Sequence, residues 1–296
     1  MTAKSKEGIE DSFSFQRMKG IFEYELRWDL RKKKVLFAIS FVLIIVTIIG
    51  VFFKYFFTGG NPSNSDFEWS NIIIILTNGF ISGLFPLIIG GAISVDSVAW
   101  EIDKGTIIPL LSQPVKRSEI YFGKIVEKFL IILLLSLLLV FLSLVLSIIT
   151  VGRQEYLIWL VPVALAFLLE TMVFVSLTFM LGALIKQSGF MMLMLTGIYL
   201  SILIGSVLLM LKQGFHLWMT LIPLDGVNNL MISIQQFFLR PNGTIFVNYN
   251  LGSEFSRGTW VNVSQLLLYS ILGSILSVII FIIIGYVAFY RFEVKG

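Results

Sequence analysis

Long apolar stretches separated by short polar gaps dominate the sequence. A helix needs roughly 20 apolar residues to cross a bilayer core about 30 Å thick. Six stretches meet this requirement, at residues 35–53, 72–93, 124–151, 157–185, 190–211 and 263–290. The pattern predicts an all-α, polytopic membrane protein whose six transmembrane helices form one domain over residues 35–296. An even number of spans leaves both termini on the same side of the membrane.

Lysine and arginine residues are concentrated on one side of this predicted topology. Nine lie before the first apolar stretch and three lie in the connector 94–123, whereas the gaps on the opposite side carry five in all. Basic residues are retained on the cytoplasmic side of membrane proteins. We therefore expect cytoplasmic termini, a cytoplasmic connector 94–123, an extracellular loop 212–262, and a multi-pass location in the cell membrane, in contact with its lipid bilayer.

The segment 1–34 has its own apolar periodicity before the first span. Apolar residues recur at steps of three and four, which places them on one face of a helix: Phe15, Met18, Phe22, Leu26 and Leu30. A basic run follows at residues 31–34. The pattern predicts an amphipathic helix on the cytoplasmic membrane surface. It serves either as an interfacial anchor alone or also as a contact for a cytosolic partner.

Composition removes several classes of function. The chain is 57% hydrophobic and 14% charged, and it has no cysteine and one histidine, His216. Disulfides, thiol nucleophiles and histidine or thiolate metal sites are therefore not expected. The net charge of +4 is explained by the one-sided distribution of bases, so no nucleic-acid partner is expected. We expect no catalytic, cofactor-binding or metal-binding residue in this chain.

The polar stretch EIDKGTIIPLLSQPVKRSEIYFGK, residues 101–124, stands between two apolar regions. Asp96 or Ser97 can cap a helix start, and Gly105 suits the position after a helix end. These signals predict a short helix over about residues 97–104, which displays Trp100 and Glu101.

The rest of the connector is equally specific. Pro109 and Pro114 stiffen the chain, and Ser118 with Glu119 can cap the helix that follows. A simple linker needs only a few flexible residues. The connector is therefore predicted to present a surface to a partner.

The connector resembles the motif between spans two and three of the type-2 ABC-transporter permeases. The matching residues, in chain order, are Glu101, Gly105, Thr106, Leu110, Leu111, Ser112, Pro114, Val115, Arg117, Gly123 and Lys124. The segment IPLDGVNNL, residues 222–230, is similar to a second family motif at the outer side, with Gly226 where the family has alanine. Six spans and an amphipathic N-terminal helix agree with that family along nearly the whole chain.

The resemblance implies a function. In that family the connector is a coupling helix that docks onto an ATP-binding subunit, so it implies a coupling role for Trp100, Glu101, Gly105, Thr106, Pro114 and Arg117. It also implies an exporter in which two permease chains, identical or different, form the pathway and two separate ATPase subunits bind ATP and Mg²⁺. No phosphate-binding motif G-x-x-x-x-G-K-[ST] occurs in the sequence. We therefore expect a transport subunit and not an enzyme.

Two features inside the predicted spans are candidates for function. Glu170 lies in the middle of a span, where an acid costs of order 2–3 kcal/mol unless it is paired, protonated or hydrated. It either holds helices together, with the hydroxyl of Thr171, Ser176 or Thr178 nearby in sequence, or lies along a transport path. Gly197, Ser201 and Gly205 form a small-residue face on another span, which more often marks close helix packing than substrate contact.

The predicted outer loop has two different halves. The first, around Pro223 and Asp225, is apolar and predicts short helices that dip back and roof a dimer interface. The second is rich in Asn, Gly and Ser and is expected to be solvated. It contains two glycosylation triplets, at Asn242 and Asn262.

Two alternatives to an ABC permease remain open from the sequence. One is an ATP-independent permease or a membrane scaffold, and the other is an intramembrane enzyme centred on Glu170. The enzyme lacks a second catalytic group, because no His or Asp lies within a predicted span.

Overall fold

In the part of the chain that the structure describes, the fold is a helix bundle with one small β-hairpin. The computed structural model describes residues 14–56, 84–95, 97–112, 115–151, 160–213, 215–222, 224–239, 243–248 and 258–291. In chain order the helices are α1 Phe15–Arg31, α2 Lys34–Phe56, α3 Leu84–Ser94, α4 Ala99–Asp103, α5 Ile108–Leu111, α6 Arg117–Val151, α7 Leu160–Ile185, α8 Ser188–Gln213, α9 Asp225–Leu239 and α10 Val263–Tyr290. A 3-10 helix, Leu217–Leu221, precedes α9.

Three helices in the described part of the chain are long and apolar enough to cross a membrane. They are Ala164–Ile185 in α7, Ser188–Lys212 in α8 and Val263–Tyr290 in α10. The chain is thus a membrane protein by the length and composition of these helices. The first half of the predicted span 72–93 lies outside the described residues, and so does the connection before α7.

Helix α7 is the centre of the bundle. It packs against α10, α6, α3, α9 and α8. In the apolar stretch of α7, 72% of the residues are buried, whereas in the apolar stretch of α8 only 11% are buried. One apolar cluster joins α7 to α8 around Phe174 and Leu195, and another joins it to α6 and α10 around Tyr121 and Phe289. A helix that is apolar on all sides and buried on most of them is an interior helix.

The segment between α8 and α10 packs tightly against α10. A Cβ atom on Gly226 would lie 2.4 Å from the Thr220 carbonyl oxygen, and one on Gly273 would lie 2.0 Å from it. The hydroxyls of Ser233 in α9 and Ser270 in α10 are 3.1 Å apart and buried. Glycine at 226, where the related motif has alanine, therefore permits a backbone contact that a side chain would block.

The hairpin corrects the prediction of an all-α chain. Strands β1 Thr244–Asn248 and β2 Gly258–Asn262 pair antiparallel, with Ile245 opposite Val261. They lie in the half of the loop that was expected to be merely solvated. Val261 and Ile245 pack against a small apolar cluster with Phe215. Packing of this cross-strand pair against the cluster stabilises a strand structure that the composition of the segment did not indicate.

Candidate functional site

The connector forms two short helices at the end of the bundle where α1 begins. Helix α4 covers residues 99–103, and Gly105 follows it with a φ of +68°, as predicted for a residue past a helix end. The predicted cap is wrong for Ser97, because Val98 occupies the cap position and no side chain caps the helix. Asp96 and Pro114 lie outside the described residues.

The connector is seated on α7. Val98, Ala99 and Ile107 are each no more than 2% exposed. A Cβ atom on Gly182 of α7 would lie 3.2 Å from the Ala99 nitrogen, so the backbone of α4 rests on the end of α7. A displacement of α4 would therefore act directly on the central helix of the bundle.

Glu101 points into the protein. Its side chain is 13% exposed, and its Oε1 accepts a hydrogen bond of 2.7 Å from Lys124 Nζ at the start of α6. Lys124 also donates to Glu25 Oε1 on α1 at 2.5 Å, and the lysine is fully buried. Burial raises the pKa of Glu101, and the Lys124 ammonium group opposes this rise. One buried lysine thus joins α1, α4 and α6.

A second buried group of charges lies one helical turn further along α1 and α6. Lys128 Nζ donates to Asp29 Oδ2 and lies 2.8 Å from Glu127 Oε2. Lys128 and Glu127 are fully buried. We call Glu25, Asp29, Glu101, Lys124, Glu127 and Lys128 the ion cluster. It holds four carboxylates and two ammonium groups, and buried charges of this kind are costly unless each is paired.

The start of α1 is fixed to the start of α6 by Glu119. Its carboxylate accepts hydrogen bonds from the backbone N–H of Ser14 at 2.7 Å and of Lys116 at 3.0 Å. Arg17 lies 3.2 Å from the same carboxylate, which is fully buried. The expected capping role of Glu119 in α6 is thus present, and the same side chain also holds α1.

The amphipathic helix α1 uses its polar face for these contacts. Its buried residues are Ile21, Glu25 and Asp29, whereas Phe15 and Leu30 of the predicted apolar stripe are 74% and 52% exposed. Gly123 of α6 allows the close approach, because a Cβ atom there would lie 3.1 Å from Ile21 Cγ2. The helix therefore turns Glu25 and Asp29 inward and leaves Phe15 and Leu30 on the outside.

Arg117 links the connector to the last helix. Its Nη1 donates to the carbonyl oxygen of Tyr290, at the C-terminal end of α10. A cation at a helix C-terminus is favoured by the helix dipole. The end of α10 therefore lies at the same end of the bundle as α1 and the connector.

The outer surface of the connector is formed by other residues. Lys104, Thr106, Ile108 and Pro109 are exposed, Ile108 to 48%. Beside them a groove of about 450 Å³ runs between α1 and the connector, lined by Arg17, Gly20, Ile21, Tyr24, Glu25, Trp28, Trp100, Glu101, Thr106, Pro109, Leu110 and Val115. A concave surface beside an exposed apolar residue is suited to docking another protein.

Glu170 is buried inside the single chain. Its carboxylate interacts electrostatically with Tyr199 of α8. The hydroxyls suggested as its neighbours are used elsewhere: Thr171, Ser176 and Thr178 each donate to a carbonyl oxygen of α7 itself. Glu170 thus lies in the contact between α7 and α8.

The small-residue face of α8 does not pack against another helix in the described part of the chain. A Cβ atom on Gly197 or Gly205 would meet nothing within 4 Å, and Ser201 is exposed. The predicted close helix approach is therefore not made to another described helix of the same chain.

The outer-segment residues have structural roles. Asp225 begins α9, is 5% exposed and bonds to Ser206 of α8. Burial raises its pKa to about 6, and the Ser206 hydrogen bond opposes this rise. Asn262 accepts from Ser264 N at 3.0 Å and caps α10. Pro223 and Asn242 lie outside the described residues, and glycosylation at either asparagine stays a prediction.

The ion cluster was not predicted from the sequence, in which Lys124 was singled out only as part of the connector motif. A signal was present, because acids at 25 and 29 and lysines at 124 and 128 are each four residues apart and so share one helix face. Two helices with complementary charges at matching spacing can pair side by side.

Comparison with known families agrees with this architecture. Residues 18–294 match the family model described as ABC-2 family transporter protein. The match extends over nearly the whole chain, so the chain belongs to this family of type-2 ABC-transporter permeases. The family makes it a permease component of a membrane transporter and a transport subunit that is not itself catalytic, which disfavours the intramembrane enzyme. A comparison with curated proteins finds no match.

Proposed function

We propose that this chain is the membrane subunit of an ABC exporter, driven by separate ATPase subunits that dock at the connector. The observation that carries the proposal is the position of Lys124, which bonds to Glu101 on the connector and to Glu25 on α1. A connector with no mechanical role would not need to be tied to two helices by a buried ion pair, because burial of charge is costly.

The proposed topology has six spans with both termini in the cytoplasm of the cell. The bond from Arg117 to Tyr290 supports a common side for the connector and the end of α10. The basic residues of α1 and the connector favour the cytoplasm for that side, and the cell membrane as the location. Three helices of suitable length and polarity are found in the described residues, and the remaining apolar stretches of the sequence supply the others.

The proposed pathway lies between two permease chains. Helix α8 is apolar, but only 11% of the residues in its apolar stretch are buried within one chain. Gly197, Ser201 and Gly205 on it leave room for a close helix approach. A second copy of this chain, or a related chain, would cover this face, with the segment around Asp225 at the outer end of the interface.

The proposed ATPase docking surface is the outside of the connector. Exposed Ile108 and Pro109, next to the groove beside α1, offer an apolar contact. The chain has no phosphate-binding loop, so two partner subunits would bind ATP and Mg²⁺. Glu101, Trp100 and Arg117 would then transmit the motion, while residues such as Thr106 and Ile108 make the contact itself.

Coupling would follow two mechanical routes. Movement of α4 acts on α1 through Glu101, Lys124 and Glu25. It also acts on α7 through the contact of Ala99 with Gly182. Packed helices move as rigid units, so a small displacement at α4 would reach the outer end of the bundle.

The proposal is tested by copurification. The tagged protein, extracted from its host in mild detergent, is expected to bring down a P-loop ATPase identified by mass spectrometry. Ile108→Asp should lose the ATPase because it places a charge in an apolar contact, whereas Trp260→Asp, a matched change at a 71% exposed residue of the hairpin, should retain it. Recovery of the wild type without any ATPase would contradict the proposal.

A variant at Glu101, such as Glu101→Lys, would not test docking by itself. Glu101 faces Lys124 inside the ion cluster, so a lysine there would place two cations together and disturb folding as well as coupling. The exposed position Ile108 separates the contact with an ATPase from the stability of the permease.

A further inference from the structure

A groove of about 260 Å³ lies between α2 and α3, at the turn that joins α1 to α2. Its walls are apolar, with Phe37 and Phe41 on α2 and Ile88 and Ala92 on α3. Phe37 and Ile88 are 64% and 46% exposed, so the walls are accessible from the side of the bundle. We call this feature the α2–α3 groove.

One rim of the α2–α3 groove is basic. Lys32 and Lys33 line it at the turn between the two helices. Lys33 is exposed and adopts a left-handed backbone, with a φ of 57°. Lys32 Nζ lies 4.0 Å from the ring centre of Trp100 and 4.8 Å from that of Trp28. Aromatic rings thus hold one ammonium group beside the rim.

The vertical order of these residues matches that of a phospholipid. The lysines lie where α1 ends, and the apolar walls begin along α2, which starts at Lys34. With α1 at the membrane surface, as its sequence predicts, the charged rim would lie at headgroup depth and the apolar walls at acyl-chain depth. Typical pockets for compact small molecules have volumes of about 300–1,000 Å³. This groove is smaller and open, which suits an acyl chain lying along the helices.

We propose that the α2–α3 groove binds an acidic phospholipid, with the phosphate on Lys32 and Lys33 and an acyl chain against Phe37, Phe41 and Ile88. Basic pockets between membrane helices attract anionic headgroups. A zwitterionic lipid would bring its own cation toward two lysines, so the rim selects for net negative charge. This site does not depend on ATPase docking, and it holds whether or not the protein is an exporter.

The site is adjacent to the proposed coupling route. Lys32 contacts Trp100, which lies on α4 next to Glu101. A phosphate on Lys32 would therefore sit against the connector and hold the turn between α1 and α2 in place. The lipid would then be a fixed component of the charged end of the bundle.

The test is lipid retention by the purified full chain, measured by native mass spectrometry. The protein in neutral detergent is incubated with equal amounts of phosphatidylglycerol and phosphatidylcholine. We expect wild type to retain phosphatidylglycerol preferentially. The double variant Lys32→Gln, Lys33→Gln should weaken this retention roughly tenfold to thirtyfold, because two surface attractions are removed.

Controls separate charge at the site from charge in general. The double variant Lys19→Gln, Lys104→Gln makes the same charge change at exposed lysines and should keep wild-type retention. Ala92→Leu leaves both lysines in place and adds bulk to the groove wall, so it should reduce binding of phosphatidylglycerol. This variant tests the site even if the lysine variant folds poorly. Each variant is checked against wild type by thermal unfolding.

Three results would overturn the assignment. Equal retention of the two lipids by wild type would mean that the groove does not select an acidic headgroup. Equal loss in the Lys19 and Lys104 control would mean that the lipid follows net charge and not this site. Displacement of the lipid by soluble glycerol phosphate would identify an anion site without an acyl-chain component.

Discussion

Lys124 Nζ lies 2.7 Å from Glu101 Oε1 and so ties the connector to the start of α6 inside the protein. The same lysine holds Glu25 of α1. Removal of one partner from a buried ion pair costs more than the pair itself contributes, because the remaining charge is left without compensation. The ion cluster is therefore expected to be the most sensitive part of the charged end of the bundle.

The first prediction concerns Lys124 itself. Lys124→Met leaves two buried carboxylates without their cation and should lower the free energy of unfolding by about 3–5 kcal/mol. Thermal or denaturant unfolding in detergent measures the loss. Lys104→Met, at an exposed lysine of the connector, should change it by no more than about 0.5 kcal/mol. Equal stability of the two variants would mean that the buried contacts do not form.

The second prediction concerns Glu119, which fixes α1. Glu119→Ala leaves the Ser14 and Lys116 N–H groups without their acceptor, at a cost of about 1–3 kcal/mol. Helix α1 should detach more often, so trypsin should cleave faster after Arg17 and Lys19. Glu23→Ala, at a 49% exposed acid that lies 3.8 Å from Lys19, removes only a surface pair and should leave the cleavage rate unchanged. Unchanged cleavage in Glu119→Ala would show that α1 is held by other contacts.

The third prediction concerns the contact between the outer segment and α10. Gly273→Ala places a Cβ atom 2.0 Å from the Thr220 carbonyl oxygen, so the backbone must shift, at a cost of about 1–3 kcal/mol. A lower unfolding temperature is the expected result. Gly189→Ala, where nothing lies within 4 Å, should be neutral or slightly stabilising because alanine favours helix. The reverse order of stabilities would contradict this packing.

The fourth prediction concerns pH. Burial raises the pKa of Asp225 to about 6 from an ordinary value of 3.8, so the folded protein retains this proton where the unfolded chain has lost it. Stability from this group is fully present below about pH 4 and is lost as the pH rises through about 6. The loss is about 3 kcal/mol for a shift of about two pKa units.

The measurement for Asp225 is unfolding between pH 4 and pH 7. Subtraction of the Asp225→Asn profile removes the titration of other carboxyl groups. The difference should fall with rising pH and then become constant above about pH 7. A difference that rises over this interval would mean that the carboxylate is stabilised in the folded protein, in contradiction to its burial.

Local signals in the sequence predicted several of the described helices. The apolar pattern predicted a helix at residues 263–290, and α10 has these bounds. It also predicted α1, and Gly105 marked the end of α4, because periodicity and a left-handed glycine depend on residues close in the chain. The connector motif identified the family, to which residues 18–294 belong.

The sequence by itself determined that this is a helical membrane protein of the type-2 ABC permease family. Only the tertiary structure decided which groups meet. Glu25 and Lys124 are 99 residues apart in the chain, and their pairing turned the polar face of α1 inward while Phe15 and Leu30 remained outside. The hairpin likewise depends on the cluster around Phe215. Contacts between distant segments depend on the packing of whole helices. The matching spacing of acids and lysines shows which helix faces can pair, but only the packed structure decides that they do.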